Sequence, residues 1–264
     1  MITVNSMVNN RNSFFQLDKA ERSMFKASEN LISGKRINSA KDDPAGFAIA
    51  SMMSSQIREN NQGIRNANDG ISLTQVADGA LGGANDILQR MRELALQGSN
   101  GTLSADNRET IQSEINQLGE QLTSIGDNTT FNGMSVFSGE QSLNIQVGFN
   151  QSISLELTDL TAESLTSGVG TQGDLIKNID DLSAQISSSR SVLGATQARF
   201  ISTIDNLSTM SISASASRSR IEDTDYASSI SDFLQAGLAK QVSSVVFVKQ
   251  LEADRSFINQ LIKS

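Results

Sequence analysis

One proline organises this chain. Pro44, the only one, follows Asp43. Asp43 can accept a hydrogen bond from the free backbone N–H groups of a helix's first turn. Pro44 then sits where its missing N–H costs nothing. The pair is a helix cap, and a helix start is predicted there. Behind it run residues 45–97 with no further proline. Helical throughout, they would span roughly 80 Å at ~1.5 Å per residue, which suits a rod. Ile49, Met53, Ile57, Ile64, Ala67 and Ile71 recur at helical spacing. Ala77, Leu81, Ala84, Leu88, Met91 and Ala95 continue in alternating steps of four and three. The turn-like Asn68-Asp69-Gly70 leaves a break as the alternative.

The same grammar recurs elsewhere. Leu17, Ala20, Met24, Ala27 and Leu31 form the seam of a coiled coil near the start, with Val4, Phe14 and Phe15 extending its apolar surface. Residues 32–42 read as a polar loop with Gly34 near the helix end. Asp106 and Glu109 read as a capping pair for a second helix carrying Ile111, Ile115, Leu118, Leu122 and Ile125. Residues 127–141 are rich in Asn, Gly, Ser and Thr and read as irregular. Leu143, Ile145 and Val147, then Ile153, Leu155 and Leu157, alternate with polar residues around a turn at 148–151, which predicts a β-hairpin. Gly168, Gly170 and Gly173 mark a loop. From Leu175 an alternation of fours and threes runs through Ile179, Leu182, Ile186, Ser189, Leu193, Thr196, Phe200, Thr203, Leu207 and Met210 to Ala214.

The last segment starts near Asp223 or Asp225. Leu234, Leu238, Val245 and Val248 share one helical seam, while Phe233, Val242, Val246 and Phe247 lie off it. A helix apolar nearly all round seeks burial on several sides; the run 245–248 is also good strand sequence. The two adhesive segments lie at opposite ends of the chain. They can pair, yet such a pair leaves apolar surface, and the simplest cover is another copy. The expected fold class is mainly α: an elongated antiparallel helical bundle or coiled coil with a small β-hairpin region. The expected parts are an N-terminal segment 1–40, a rod 41–220 (helices near 44–97, 104–127 and 174–220, hairpin near 142–158) and a C-terminal helix 221–264.

Composition narrows the function. The chain has no His and no Cys, so the usual general base, soft metal ligands and thiol nucleophile are missing. No enzyme activity, cofactor or metal is expected. Asp42 and Asp43 read as helix capping rather than a metal or acid–base pair. The net charge of −8, with no basic block, gives no support for nucleic-acid binding. No run approaches the ~18 apolar residues of a membrane span, and no secretory signal peptide opens the chain.

The stretches ISGKRINSAKDDPAGFAIA, IRNANDGISLTQVADGAL, LQRMRELALQ, TTFNGMSVFSG and LNIQVG, then LGATQARF and SRIEDTDYA, together closely resemble bacterial flagellin. With no long insertion between them, the chain looks like a short flagellin with only the inner coiled-coil and rod layers. The resemblance implies a secreted structural subunit that self-assembles into the extracellular filament for swimming. It implies export, unfolded, by the flagellar type III pathway. Partners would be copies of itself, the cap, junction proteins, an export chaperone, and a host Toll-like receptor contacted through Gln89, Arg90, Leu94 and Glu114. Leu17, Met24, Leu31, Phe233, Leu234, Leu238, Val242 and Val245 would pack the inner tube between subunits. Three departures from the family pattern stand out: Lys35, where an apolar residue is usual; Asp-Asp-Pro at 42–44, which is reminiscent of the hook–filament junction protein; and VSSVVFVKQLEADRSFINQLIKS after Gln241, where the family carries a Gln/Ala-rich helix with an Ala-Asn-Gln run and a proline. A junction-type protein is the alternative reading; a secreted coiled-coil effector is a second.

Overall fold

The computed structural model describes residues 2–137, 141–157 and 172–263. Among them are five helices: α1 (Ile2–Ser33), α2 (Pro44–Gly98), α3 (Ala105–Asn128), α4 (Gln172–Glu222) and α5 (Tyr226–Lys263). Two small antiparallel hairpins stand between α3 and α4: β1 (Thr130–Phe131) with β2 (Met134–Ser135), and β3 (Gln141–Gly148) with β4 (Gln151–Leu157). The protein is mainly α. The expected glycines 168 and 170, and Thr158 at the expected hairpin's end, lie outside the described residues. Gly173 belongs to α4.

The chain divides into two compact units, residues 1–56 with 213–264, and residues 57–212. The second unit has the larger core. Leu81, Ala84, Leu88, Met91 and Ala95 of α2 meet Ile111, Ile115 and Leu122 of α3 and Leu175, Ile179, Leu182 and Ile186 of α4, all buried. The four-three spacing is therefore a true seam here. Arg92 to Asp180, Asn85 to Ser183 and Asp78 to Arg190 form three polar cross-links that set α2 and α4 antiparallel in one register.

α2 does not break at Asn68-Asp69-Gly70. Asn68 Nδ2 turns back onto the Ile64 carbonyl, 2.8 Å away, within the helix. The neighbouring glycines serve packing inside the chain. A Cβ at Gly63 would collide with the Val147 carbonyl oxygen of β3, and one at Gly70 would press on the Phe200 ring at 2.7 Å. The second core cluster, Ala67, Val147, Ile153 and Phe200, sits where these close approaches let the hairpin settle on α2 and α4.

Two local expectations change, and one alternative falls away. α3 is capped by Ser104, whose Oγ accepts from the Asn107 N–H at 3.3 Å; Asp106 lies in the first turn. Residues 127–141 are not irregular throughout: Asn132 (φ 51) and Gly133 (φ 79) form the tight turn of the β1–β2 hairpin. Asn-Gly between short apolar pieces is the strongest signal for such a turn. The run 245–248 is helical, inside α5.

Candidate functional site

Within the first unit α1 and α5 lie antiparallel. Ser13 Oγ donates to Gln250 Oε1 at 2.9 Å, Lys240 Nζ meets Glu21 Oε1 at 2.9 Å, and the Phe14 and Phe247 rings are 6.3 Å apart. On α1 every position of the predicted seam is covered: Ala20 and Ala27 are buried, and Leu17, Met24 and Leu31 are half-buried, as are Ser13, Asp18, Ser28 and Asn30 beside them.

On α5 the seam is a different one. Phe233, Ala236, Lys240, Ser243, Phe247 and Gln250 are buried or half-buried, in steps of three, four, three, four and three, with Ser229, Gly237 and Ser244 also covered. Leu234, Leu238, Val245 and Val248, which share one helical seam, are exposed. One residue along a helix is a turn of ~100°, so the greasier face points away from α1. Small residues in the seam permit close approach, and the polar pairs fix its register. Large apolar side chains are left over.

That leftover face is continuous. Ile230, Leu234, Leu238, Val242, Val245, Val246, Val248 and Leu251 are all exposed, Leu238 at 64% and Val242 at 62%. Between Asp232 and Lys249 the only charged residue of α5 is Lys240, and it is engaged with Glu21. The stripe is thus uncharged as well as apolar. Phe14, Phe15 and Phe25 add exposed rings on α1. A contiguous face of this kind marks an interaction surface.

The remaining candidate residues lie elsewhere. Asp43 Oδ1 accepts the Gly46 N–H at 3.0 Å, and Pro44 is the first residue of α2. Arg90 contacts Glu93 and Glu114, each at 3.2 Å, and these carboxylates hold its guanidinium still more firmly protonated. Gln89, Arg90 and Glu114 are exposed, whereas Leu94 is 3% exposed and belongs to the core. Leu94 is therefore not presented beside the other three. Among the described residues no cluster of His, Cys, Asp and Glu could hold a metal ion, and no helix is long and apolar enough to cross a membrane.

The sequence matches the bacterial flagellin N-terminal helical region over residues 4–142 and the bacterial flagellin C-terminal helical region over residues 176–261. A flagellin of Halalkalibacterium halodurans is 36% identical over 263 residues, 95% of either chain. A flagellin of Salmonella dublin is 43% identical over 169 residues, which are 63% of this chain and 34% of that one; against it the chain spans about a third of the length. The crystal structure of Bacillus cereus flagellin aligns at a TM-score of 0.48 and 29% identity, covering 54% of this chain and 88% of that one.

Proposed function

The chain belongs to the bacterial flagellin family, and from that membership we propose that the uncharged stripe of α5 is where one subunit of the filament grips the next. The protein is a structural subunit of the flagellar filament. The observation that carries the proposal is the exposure of Leu234, Leu238, Val242 and Val245 on a helix already paired on its other side. An open-ended polymer needs unlike surfaces to meet, head to tail, without closing a ring. Here the stripe is one surface, and the α1 side of a neighbouring pair is the other.

The finer assignments belong to the same proposal. Segments 1–40 and 221–264 form the inner tube, with Leu17, Met24, Leu31 and Phe233 holding the pair together and the α5 stripe joining pairs. Residues 41–220 form the surrounding rod. The subunit leaves the cell unfolded by the flagellar type III route; a chain without cysteine has no disulfide to oppose that passage. Cap, junction proteins and an export chaperone are its transient partners. A host Toll-like receptor would meet Gln89, Arg90 and Glu114, with Leu94 supporting them from beneath.

The test is assembly. The full-length chain, seeded with filament fragments, is expected to grow long tubes by electron microscopy. Leu238→Glu and Val242→Glu are expected to remain folded by circular dichroism and fail to elongate seeds. Normal elongation by both variants would overturn the stripe as the joining surface. Short adaptors in place of tubes from the wild type would favour a junction-type protein.

A further inference from the structure

The first unit has two non-helical links. Residues 34–43 join α1 to α2, and residues 223–225 join α4 to α5. Nearly two hundred residues apart in sequence, they are clamped together. Lys35 and Asp223 form an isolated antiparallel bridge. The Arg36 N–H donates to the Glu222 carbonyl at 2.6 Å, and the Thr224 N–H donates to the Gly34 carbonyl at 3.0 Å. The Arg36 guanidinium donates to the Ile221 carbonyl at 2.6 Å.

Two features show that this contact is built. Gly34 has φ +70, a backbone that L side chains rarely adopt, and a Cβ there would lie 3.1 Å from the Tyr226 hydroxyl. Ile37, on the same link, is 1% exposed. One ion pair is laid over the bridge: Lys35 Nζ lies 2.6 Å from Glu222 Oε1. The Glu222 side chain is only 13% exposed, with Arg218 the next cation at 3.9 Å from its other oxygen. A carboxylate so covered depends on its partner more than a free surface group does.

We propose that Lys35 and Glu222 are an ionic latch across a single joint. The two links open and close together. The α1–α5 pair then turns as one body against the adjoining ends of α2 and α4, and the latch sets how often the joint is shut. Lys35 is a positioning residue: it touches no other subunit in this role, and acts by holding Glu222 and, through it, the Arg36 and Thr224 hydrogen bonds.

Hydrogen exchange at the Arg36 and Thr224 amides reads the joint directly. It is measured on the full-length chain, free and polymerised, so the result does not depend on polymerisation. In the wild type the two amides are expected to share one protection factor, because one opening exposes both. Lys35→Met is expected to lower both about three- to tenfold, leaving the Leu88 amide in the core of α2 unchanged. Raising salt to 1 M is expected to lower both clearly in the wild type and much less in Lys35→Met, where only the longer Arg218–Glu222 pair is left to screen. The exchanged pair Lys35→Glu with Glu222→Lys is expected to restore protection. The proposal is overturned by unequal protection of the two amides, by protection indifferent to Lys35→Met or to salt, or by amides unprotected in both free and polymerised chains. Should the exchanged pair fail to fold, the Lys35→Met and salt comparisons still decide.

Discussion

The core of the second unit and the α1–α5 pair of the first are written in the same four-three spacing, yet they use it in opposite directions. In the second unit Leu81, Leu88, Ile179 and Ile186 meet inward and are almost wholly covered. In the pair, α5 turns Ala236, Ser243 and Lys240 inward and leaves Leu234, Leu238 and Val242 outside. The first arrangement completes itself within one chain. The second leaves an apolar face uncovered. Periodicity says which face of a helix is apolar; it does not say which neighbour that face awaits.

The largest effect that tests this contrast is a core truncation. Leu88→Ala, at a fully buried position, is expected to cost about 3–5 kcal/mol in urea unfolding of the free chain. Leu238→Ala should stay within about 0.5 kcal/mol in the same measurement, as an exposed position does. Equal losses would mean that the stripe is already buried by the single chain, and the contrast would fail. Next comes the seam itself. Ala27→Leu forces extra volume between α1 and α5, where Ala27 is 7% exposed, and is expected to destabilise the pair by about 1–3 kcal/mol. Thermal melting followed by amide exchange in α5 would register it. An unchanged melt would show the pair to be loosely held.

The sequence disclosed much of this. Every position of the α4 seam from Leu175 to Leu207 is at least half-covered, because a long amphipathic helix in a self-sufficient core advertises its buried face. The α1 seam was equally legible, since Leu17, Ala20, Met24, Ala27 and Leu31 form one regular apolar row with Ala20 and Ala27 its buried members. On α5 the spacing marked an apolar face that the single chain leaves exposed. Leu234 and Leu238 keep the spacing of a seam, yet the helix pairs with α1 through Phe233, Ala236 and Lys240 and leaves them exposed. The β1–β2 turn was readable at Asn132-Gly133 but lay hidden in a polar stretch. The clamp between residues 34–36 and 221–224 had no local sign; backbone bonds joining distant links leave no periodic trace.

Gly63 offers a smaller test. In an exposed helix Gly→Ala adds up to about 1 kcal/mol of stability. Here the new methyl would meet the Val147 carbonyl backbone, which cannot swing aside as a side-chain tip can. Gly63→Ala is therefore expected to cost about 1–3 kcal/mol net, with the loss concentrated in exchange of the β3–β4 amides. Gly79, with nothing near its would-be Cβ, is the control: Gly79→Ala is expected to stabilise. A gain at both positions would show the hairpin to be free of α2.

The smallest effect concerns pH. Asp42 closes the 34–43 link: Oδ1 takes the Lys26 ammonium at 2.6 Å, and Oδ2 takes the Asn38 and Ser39 N–H groups, each at 3.1 Å. Lys26 first, and then the Asn38 amide, hold its pKa at about 2, below the ordinary 3.8. A carboxyl whose folded pKa is depressed binds fewer protons folded than unfolded, so stability rises with pH between the two values. Its contribution is complete above 3.8 and is lost as pH falls through about 2. Carboxyl NMR of Asp42 is expected to titrate near the lower value, and Lys26→Met to move it upward. Asp42→Asn should flatten the acid limb of the melting profile slightly and leave the neutral second-unit core intact. An Asp42 that titrates at its ordinary value would mean that Lys26 and the link do not hold it in solution, and that this link is shaped by the Lys35 and Glu222 side of the clamp alone.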